Sequence, residues 1–435
     1  MEQPDDLSME TAIELYDMLD EAARAATMHI DKINPRLRVE ICDRQDKVLE
    51  RITDELPPFE HINSPLRVYA PAVQDYRTWI NVELMKDCGL LPYMLAKELN
   101  ATPVMYFGTK PSDYPYLLVL PEMEMLYHDS GSGLENAYKE YLVKHYSEMD
   151  VMLFWGMYNQ SIGYLEAYRK LRPDGKVFCG LDMNKWWMEQ ISWDSAPGRQ
   201  FALQCDIIAT SCRQIRDELN ERTDVKFQCR WFTNGFYNPT GVQVIAAPHR
   251  KENIILTVGR IGTRQKNNEE LLTAFAGVSD ALNGWTLRLA GPIEPGFHTY
   301  IDNYFAQYPK LKDRVIFTGP ITDKEQLYSE YAKAKVFALT SREEGFPNVY
   351  SEALFHGCMF ITSDIDAADD ITNYGELGIK YNHTDIEALK AALVKICSSA
   401  DKQSMQTHIP KALEYAGKYY DWERNAKKLA YMLFK

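Results

Sequence analysis

The chain has 435 residues and a formal net charge of −14 at pH 7. That length suits two domains and one further element, and the acidic balance argues against nucleic acid and against tight adhesion to an anionic lipid surface. The eight cysteines have no Cys-x-x-Cys spacing, and the amino terminus has no apolar leader. We therefore expect reduced thiols in a cytoplasmic protein, either free or peripheral to the membrane.

The first sixty residues are predicted to form a helical hairpin. Apolar residues between positions 9 and 33 recur at alternating spacings of three and four, which is typical of a heptad seam, and Pro35 would end that helix. A second apolar stripe runs from Leu37 to Ile52 before a Pro-Pro pair breaks it. Two interpretations stay open: residues 1–60 form a homo-oligomer or bind a partner, or they pack on the rest of their own chain.

From residue 66 onward, strand-like and helix-like stretches alternate, which is typical of parallel α/β sheets. Residues 90–99 are predicted to form a helix, and a second α/β region begins with the apolar strand 254–258 after a turn-rich stretch. The predicted strands of the first region are 66–70, 102–107, 116–120, 151–155, 176–179 and 206–210.

Two glutamates stand eight residues apart, Glu344 in a tight Glu-Gly-Phe-Pro turn and Glu352 in the helix that Pro347 would open. The start of a helix offers backbone N–H groups to phosphate or sugar oxygens, and carboxylates accept hydrogen bonds from hydroxyl groups. A site for phosphate alone would avoid carboxylates, so the pair predicts a nucleotide-sugar site. The alternative is an ordinary loop with solvated acids.

Two cations, Arg260 and Lys266, follow the strand 254–258 and Gly259. Cations at the carboxyl end of a parallel strand suit a departing nucleoside diphosphate, because its charge must be neutralised as the bond to the sugar breaks. Such a pair can replace a divalent metal, and no His/Cys/Asp cluster has metal-ligand spacing. We therefore predict neither a metal nor a cofactor. The alternative is a pair of solvated surface cations.

Several segments resemble the retaining glycosyltransferases of family 4, in the same order along the chain. Residues 341–354 resemble the Glu-x7-Glu signature of that family, and residues 257–275 resemble its strand–loop–helix for the diphosphate. The next strands of the family are similar to residues 287–292, 315–320 and 336–341.

The resemblance implies the GT-B fold, an α/β architecture of two Rossmann-like domains facing a cleft, here with an N-terminal helical extension. The implied parts are the extension (1–60), an acceptor domain (61–245) onto which a C-terminal helix of about 420–435 packs back, and a nucleotide-sugar-binding domain (246–419).

The resemblance also implies roles for single residues. Arg260 and Lys266 would hold the diphosphate, Glu344 would contact hydroxyl groups of the donor sugar, and Glu352 would contact the ribose. Because the loop is one residue longer than the commonest family spacing, Arg264 is an alternative to Lys266. The other implied donor-binding residues are Gly259, Gly262, Ile321, Gly345, Phe346, Pro347, Asn348 and Val349.

The first α/β region contains fewer residues that match. Gly89 is placed in a turn before the first helix of the domain, where backbone would approach the donor phosphate. Asp182 would face the transferred sugar or, equally, serve as a cap or core residue. Three tryptophans, Trp186, Trp187 and Trp193, could stack on sugar rings or belong to the core.

These residues together predict a retaining hexosyltransferase that acts by a metal-independent front-face mechanism. The donor would be a UDP- or GDP-linked sugar, and the acceptor a hydroxyl group of a glycan, a protein or a lipid-linked molecule. Two alternatives are a catalytically inactive scaffold subunit of similar fold and a GT-B nucleotide-sugar epimerase.

Overall fold

The computed structural model describes residues 7–57, 59, 67–71, 84–107, 120–127, 134–241 and 246–435. The chain divides into two compact units, each with its own parallel β-sheet. Unit 1 comprises Met1–Pro239 together with Asp421–Lys435, and unit 2 comprises Thr240–Tyr420. Unit 2 is thus inserted in the sequence of unit 1.

The sheet of unit 1 is parallel throughout its described strands. They are β1 (Arg67–Pro71), β2 (Thr102–Phe107), β3 (Glu124–Tyr127), β4 (Met149–Trp155), β5 (Lys176–Leu181), β6 (Ile207–Thr210) and β7 (Cys229–Trp231). Their spatial order is β3-β2-β1-β4-β5-β6-β7, so the order reverses between β1 and β4. The predicted α/β class is confirmed. Strands β3 and β7 are not among the predicted strands, and the predicted strand 116–120 lies outside the described residues except for Leu120.

The sheet of unit 2 is also parallel. Its strands are β8 (Glu252–Val258), β9 (Thr286–Ala290), β10 (Val315–Gly319), β11 (Ala334–Leu339), β12 (Met359–Ser363) and β13 (Gly378–Tyr381). They lie in the order β10-β9-β8-β11-β12-β13, which is the doubly wound order of Rossmann-like domains, with its reversal between β8 and β11. The central strands are apolar and buried because helices cover both faces of such a sheet.

Helices precede, connect and follow the strands of the two sheets. They are α1 (Met9–Met28), α2 (Arg36–Glu55), α3 (Asp87–Glu98), α4 (Leu134–His145), α5 (Asn159–Leu171), α6 (Lys185–Gln190), α7 (Ala196–Ala202), α8 (Arg213–Glu221), α9 (Asn268–Val278), α10 (His298–Gln307), α11 (Lys324–Lys333), α12 (Asn348–Phe355), α13 (Ala368–Thr372), α14 (Ile386–Ser399), α15 (Lys402–Tyr419) and α16 (Trp422–Phe434). No helix in the described ranges is long and apolar enough to cross a membrane.

The helical hairpin α1–α2 packs on its own unit. Its seam residues, among them Ala12, Tyr16 and Ile52, belong to the same apolar core as α3 and α16. Buried charges reinforce this contact, since Glu50 of α2 accepts from Arg424 at 2.9 Å and pairs with Lys428, both on α16. These seam residues therefore pack within unit 1, and a role of residues 1–60 in a homo-oligomer or in binding a partner stays a prediction.

Two details of the predicted hairpin are wrong. The first helix ends at Met28 rather than near Pro35, because a 3₁₀ turn follows and carries Ile30 into the core. Leu37 is 42% exposed, because the neighbouring Arg38 takes the inward position and donates to backbone carbonyl oxygens of the segment before β7.

Candidate functional site

The carboxyl ends of β8 and β9 approach each other closely in unit 2. Gly259 follows β8 with φ +152°, and Gly291 follows β9 with φ +145°, a region that residues with a side chain rarely adopt. A Cβ atom on Gly291 would lie 1.8 Å from the Gly259 carbonyl oxygen. Only glycine fits here, and the chain leaves this point as the loop that carries Arg260 and Lys266.

Polar contacts within the loop define its shape. The Arg260 guanidinium is exposed and donates to the Gln265 side chain at 3.0 Å. Gly262 has φ +90° and donates its N–H to Asn268 at 2.8 Å, and a Cβ atom there would collide with the Phe297 ring. The extra residue of this loop is thus accommodated by a glycine turn.

Lys266 and Glu344 meet although they are 78 positions apart. The Lys266 ammonium forms an ion pair with Glu344 Oε1, and the Ser341 hydroxyl donates to the same oxygen at 3.0 Å. Both charged side chains are largely buried, whereas Arg264 is exposed. Of the two cations that the longer loop left open, Lys266 is therefore the one against Glu344.

Backbone and side-chain hydrogen bonds join the two loops that carry this pair. The Arg342 N–H donates to the Gln265 carbonyl oxygen at 2.8 Å, and the Gln265 amide donates to the Glu343 carbonyl oxygen at 3.1 Å. The Arg342 guanidinium donates to Asn267 Oδ1 at 2.8 Å. The loops after β8 and β11 thus form one hydrogen-bonded surface.

The turn between Glu344 and α12 is anchored by one aromatic residue. Phe346 is buried and stacks on Tyr420, with ring centroids 5.4 Å apart. The helix α12 starts after Pro347 without a capping side chain, so its positive end faces the turn. Asn348 and Val349 form the first turn of α12, as the sequence analysis expects.

Glu352 has its own partners on α11. The buried Tyr331 hydroxyl donates to Glu352 Oε2 at 2.7 Å, and the Lys324 ammonium donates to Oε1 at 3.3 Å. Burial raises the pKa of Tyr331, and the Glu352 charge raises it further, so the phenol stays a donor. Neither Lys324 nor Tyr331 is among the predicted site residues. Lys324, at the start of the helix after β10, could have been found by its place at the carboxyl edge of the sheet.

The remaining donor-binding predictions lie at the same edge. Ile321 follows β10 and is partly buried, two residues after Gly319, which has φ +72°. Unit 2 therefore places Lys266 with Glu344 and Glu352 with Lys324, while Arg260 contacts Gln265 rather than either glutamate.

Residues 252–399 match the family model for glycosyl transferases group 1. No curated protein matches the chain in sequence. The matched segment includes both glutamates and both predicted diphosphate cations.

Solved structures resemble the chain over most of its length. Sucrose-phosphate synthase from Thermosynechococcus elongatus is 19% identical, with a TM-score of 0.60, over 84% of this chain and 97% of that one. A glycosyltransferase from Rickettsia africae is 14% identical, with a TM-score of 0.64, over 85% and 97% of the two chains. Anabaena HepE in complex with UDP and glucose is 15% identical, with a TM-score of 0.60, over 85% and 99%.

The fold is GT-B. Two Rossmann-like parallel sheets and the N-terminal helices agree with the predicted fold class.

In unit 1 of this GT-B chain, Gly89 lies in the first turn of α3 rather than in a turn before it, which corrects the prediction. A Cβ atom on Gly89 would lie 2.3 Å from the Leu84 carbonyl oxygen, so close packing of backbone explains the glycine. Asp182 follows β5 and is exposed, so it is not a core residue.

The cysteines and the possible metal ligands are the remaining side chains with site chemistry. None of the eight cysteines, all of which lie in the described residues, forms a disulfide bond. Within the described part of the chain, no three His, Cys, Asp or Glu side chains are grouped so as to hold a metal ion.

Proposed function

We propose that the protein is a glycosyltransferase that moves a hexose from a nucleotide diphosphate to an acceptor hydroxyl group, with retention of anomeric configuration. The observation that carries this proposal is the contact of Lys266 with Glu344, which joins the two motifs into one site. The family match over 252–399 and the fold shared with UDP-bound HepE support it. The family 4 resemblance supports the retaining mechanism.

The Lys266–Glu344 ion pair prepares both side chains for the donor. The diphosphate of a donor attracts the Lys266 ammonium, and its sugar hydroxyl groups donate to the Glu344 carboxylate. When the donor binds, these contacts replace the contact between Lys266 and Glu344. Because the pair already holds both side chains in place, little side-chain entropy is lost on binding. Arg260 is exposed on the same loop and can turn from Gln265 to the diphosphate.

Departure of the nucleoside diphosphate places negative charge on the phosphate oxygens. Arg260 and Lys266 stabilise this charge where a divalent metal would otherwise be needed. In the proposed front-face mechanism, the leaving phosphate accepts the proton of the acceptor hydroxyl group, and no protein nucleophile takes part. The reaction should therefore proceed without a metal or cofactor.

Glu352 would bind the ribose. Tyr331 and Lys324 hold its two oxygens, and the remaining lone pairs can accept from ribose hydroxyl groups. UDP and GDP are the favoured nucleotides, and cytoplasmic location, free or peripheral to the membrane, remains part of the proposal.

A nucleotide screen tests the proposal. Thermal unfolding is measured with UDP-, GDP-, ADP- and dTDP-sugars, and release of the nucleoside diphosphate is followed with and without EDTA. We expect the sugar donors of one nucleotide to stabilise the protein. We also expect slow release of the corresponding nucleoside diphosphate from that donor, at the same rate with and without EDTA. Absence of any stabilisation would contradict the proposal and favour the scaffold alternative.

A further inference from the structure

Two neighbouring tryptophans lie on the surface of unit 1. Trp186 and Trp187 are 52% and 55% exposed, and their ring centroids are 4.6 Å apart at an interplanar angle of 75°. Trp193, a few residues later, is 3% exposed and donates its indole N–H to the Met188 carbonyl oxygen at 3.1 Å. One short segment thus has one core tryptophan and two that are left at the surface.

The exposed pair lies at the carboxyl edge of the sheet. Its helix, α6, begins four residues after the end of β5. The neighbouring strand β4 ends at Trp155, and Tyr158, 42% exposed, follows it. Open parallel sheets bind ligands at this edge, next to the point where the strand order reverses, which in unit 1 is between β1 and β4. We refer to Tyr158, Trp186 and Trp187 as the aromatic platform.

The helix that carries the two tryptophans is held firmly in place. Its own residue Met188 is buried, and the Asn184 side chain accepts from the Trp187 backbone N–H at 3.0 Å. Lys185 forms an ion pair with Glu218 of α8 at 2.9 Å. Since the backbone that carries the rings is held in place, a ligand would meet them on an ordered helix, and less conformational entropy is lost than on a mobile loop.

Polar groups accompany the rings. Asp182, exposed between β5 and α6, can accept hydrogen bonds from hydroxyl groups. Tyr158 and Asp182 follow the neighbouring parallel strands β4 and β5 at the same edge of the sheet. Burial raises the pKa of the Tyr158 phenol, and the Asp182 carboxylate raises it further, so the phenol stays protonated and can donate. The platform therefore combines apolar ring faces with a hydroxyl donor and a carboxylate acceptor.

This combination fits a sugar better than a membrane. A pyranose offers apolar C–H faces to aromatic rings and hydroxyl groups to a carboxylate. A bilayer would meet an exposed acid beside the rings, on a chain with a net charge of −14. We propose that the aromatic platform with Asp182 binds a saccharide, and that the acceptor of the proposed transfer is a glycan. The acceptor role rests on the proposed function, whereas binding of a saccharide to the platform does not.

Binding of free disaccharides to the full chain tests the proposal. Maltose, cellobiose, lactose and chitobiose are titrated to millimolar concentration and followed by saturation-transfer NMR and tryptophan fluorescence. We expect at least one to bind, and the double variant Trp186→Ala/Trp187→Ala to raise its Kd by about tenfold, since two ring faces are lost. The double variant with Phe at both positions should recover most of the affinity.

A matched control is Leu203→Ala, which removes an 83% exposed apolar side chain elsewhere in unit 1. We expect it to leave the Kd unchanged. Equal Kd values for wild type and the double Ala variant, or no binding by any disaccharide, would overturn the proposal. Phosphatidylcholine vesicles that bind wild type but not the double Ala variant, without sugar binding, would assign the platform to a membrane instead.

Stabilisation by nucleotide is measured on the same proteins to separate the two proposals. If a nucleotide stabilises all variants but no sugar binds, the platform proposal fails and the proposed function stands. If sugar binding depends on the tryptophans but no nucleotide binds, the saccharide site stands and the acceptor role fails.

Discussion

The carboxyl edges of the two sheets are built from opposite kinds of side chain. In unit 2, Lys266, Glu344 and Glu352 are largely buried, and each already has a partner of opposite charge. In unit 1, Trp186 and Trp187 are exposed apolar rings on the short helix α6, which Asn184 caps. The difference indicates two modes of recognition: unit 2 can exchange internal ion pairs for a charged ligand, whereas unit 1 can cover rings that folding leaves in water.

The largest effect is expected from substitutions that break the Lys266–Glu344 ion pair of unit 2. Glu344→Ala and Lys266→Ala should each lower donor turnover by about 100-fold or more, because both charges act on the donor in the transition state. Each variant leaves one largely buried charge unpaired and should also lose about 1–3 kcal/mol of stability. Diphosphate release measures the first effect and urea unfolding the second.

Neighbouring residues supply the controls for this pair. Glu343→Ala removes an exposed carboxylate beside Glu344, and Arg264→Gln removes an exposed cation in the loop of Lys266. Both should keep nearly full turnover. Full turnover in Glu344→Ala and Lys266→Ala as well would refute the proposed site.

A second prediction concerns His356, at the end of α12. Burial lowers its pKa to about 4, below the ordinary value of about 6.5 that applies in the unfolded chain. The unfolded state therefore binds more protons between these values, and the stability of unit 2 should fall as pH drops through this window. The loss between pH 7 and pH 5 should be about 2 kcal/mol.

Urea unfolding at the two pH values measures this loss, with a probe in each unit. His356→Gln should reduce the pH dependence of unit 2 by its own share, because burial also lowers the pKa of His408 in that unit, and should leave the pH dependence of unit 1 as it was. An identical pH dependence in wild type and variant would show that the histidine is not held neutral.

A third prediction concerns the hydrogen bond of Tyr331 to Glu352. Tyr331→Phe should raise the KM for the donor by about tenfold, because a hydrogen bond to a charged group is lost, while kcat changes less. Steady-state kinetics measure both parameters. Tyr308→Phe, elsewhere in unit 2, is the matched control, and an unchanged KM in Tyr331→Phe would argue against a ribose role for Glu352.

The smallest expected effect is on the stability of unit 1. Removal of both Trp186 and Trp187 side chains should lower the free energy of unfolding by only about 1 kcal/mol, because about half of each ring is in water. Trp193→Ala, in contrast, should lower the free energy of unfolding by about 3–5 kcal/mol, because that side chain is buried. A large loss in the exposed double variant would mean that the rings serve the fold rather than a ligand.

The sequence predicts the strands and the charged loops well, for a local reason. The apolar strand 254–258 and the Gly-Phe-Pro run after Glu344 contain their own turn and burial signals. The roles of the site residues are a different matter and stay predictions until the variants are measured.

What escaped prediction depends on contacts between distant segments. Tyr331 reaches Glu352 only because α11 lies beside α12, which no local pattern shows. A glycine is needed at position 89 because the Leu84 backbone lies too close for a Cβ atom, and not because the chain turns there before a helix. Arg38 is buried although its charge suggests the surface, because backbone carbonyl oxygens satisfy it.

The position of α16 has a consequence for how the protein is made. Its residues complete the core of unit 1, and Arg424 and Lys428 neutralise Glu50 there. A ribosome synthesises these residues after the whole of unit 2, so unit 2 can fold on the nascent chain while unit 1 still waits for its last helix. Until α16 is synthesised, the apolar surface of unit 1 against which it packs is accessible to chaperones. Translation that stops before Trp422 leaves that surface exposed.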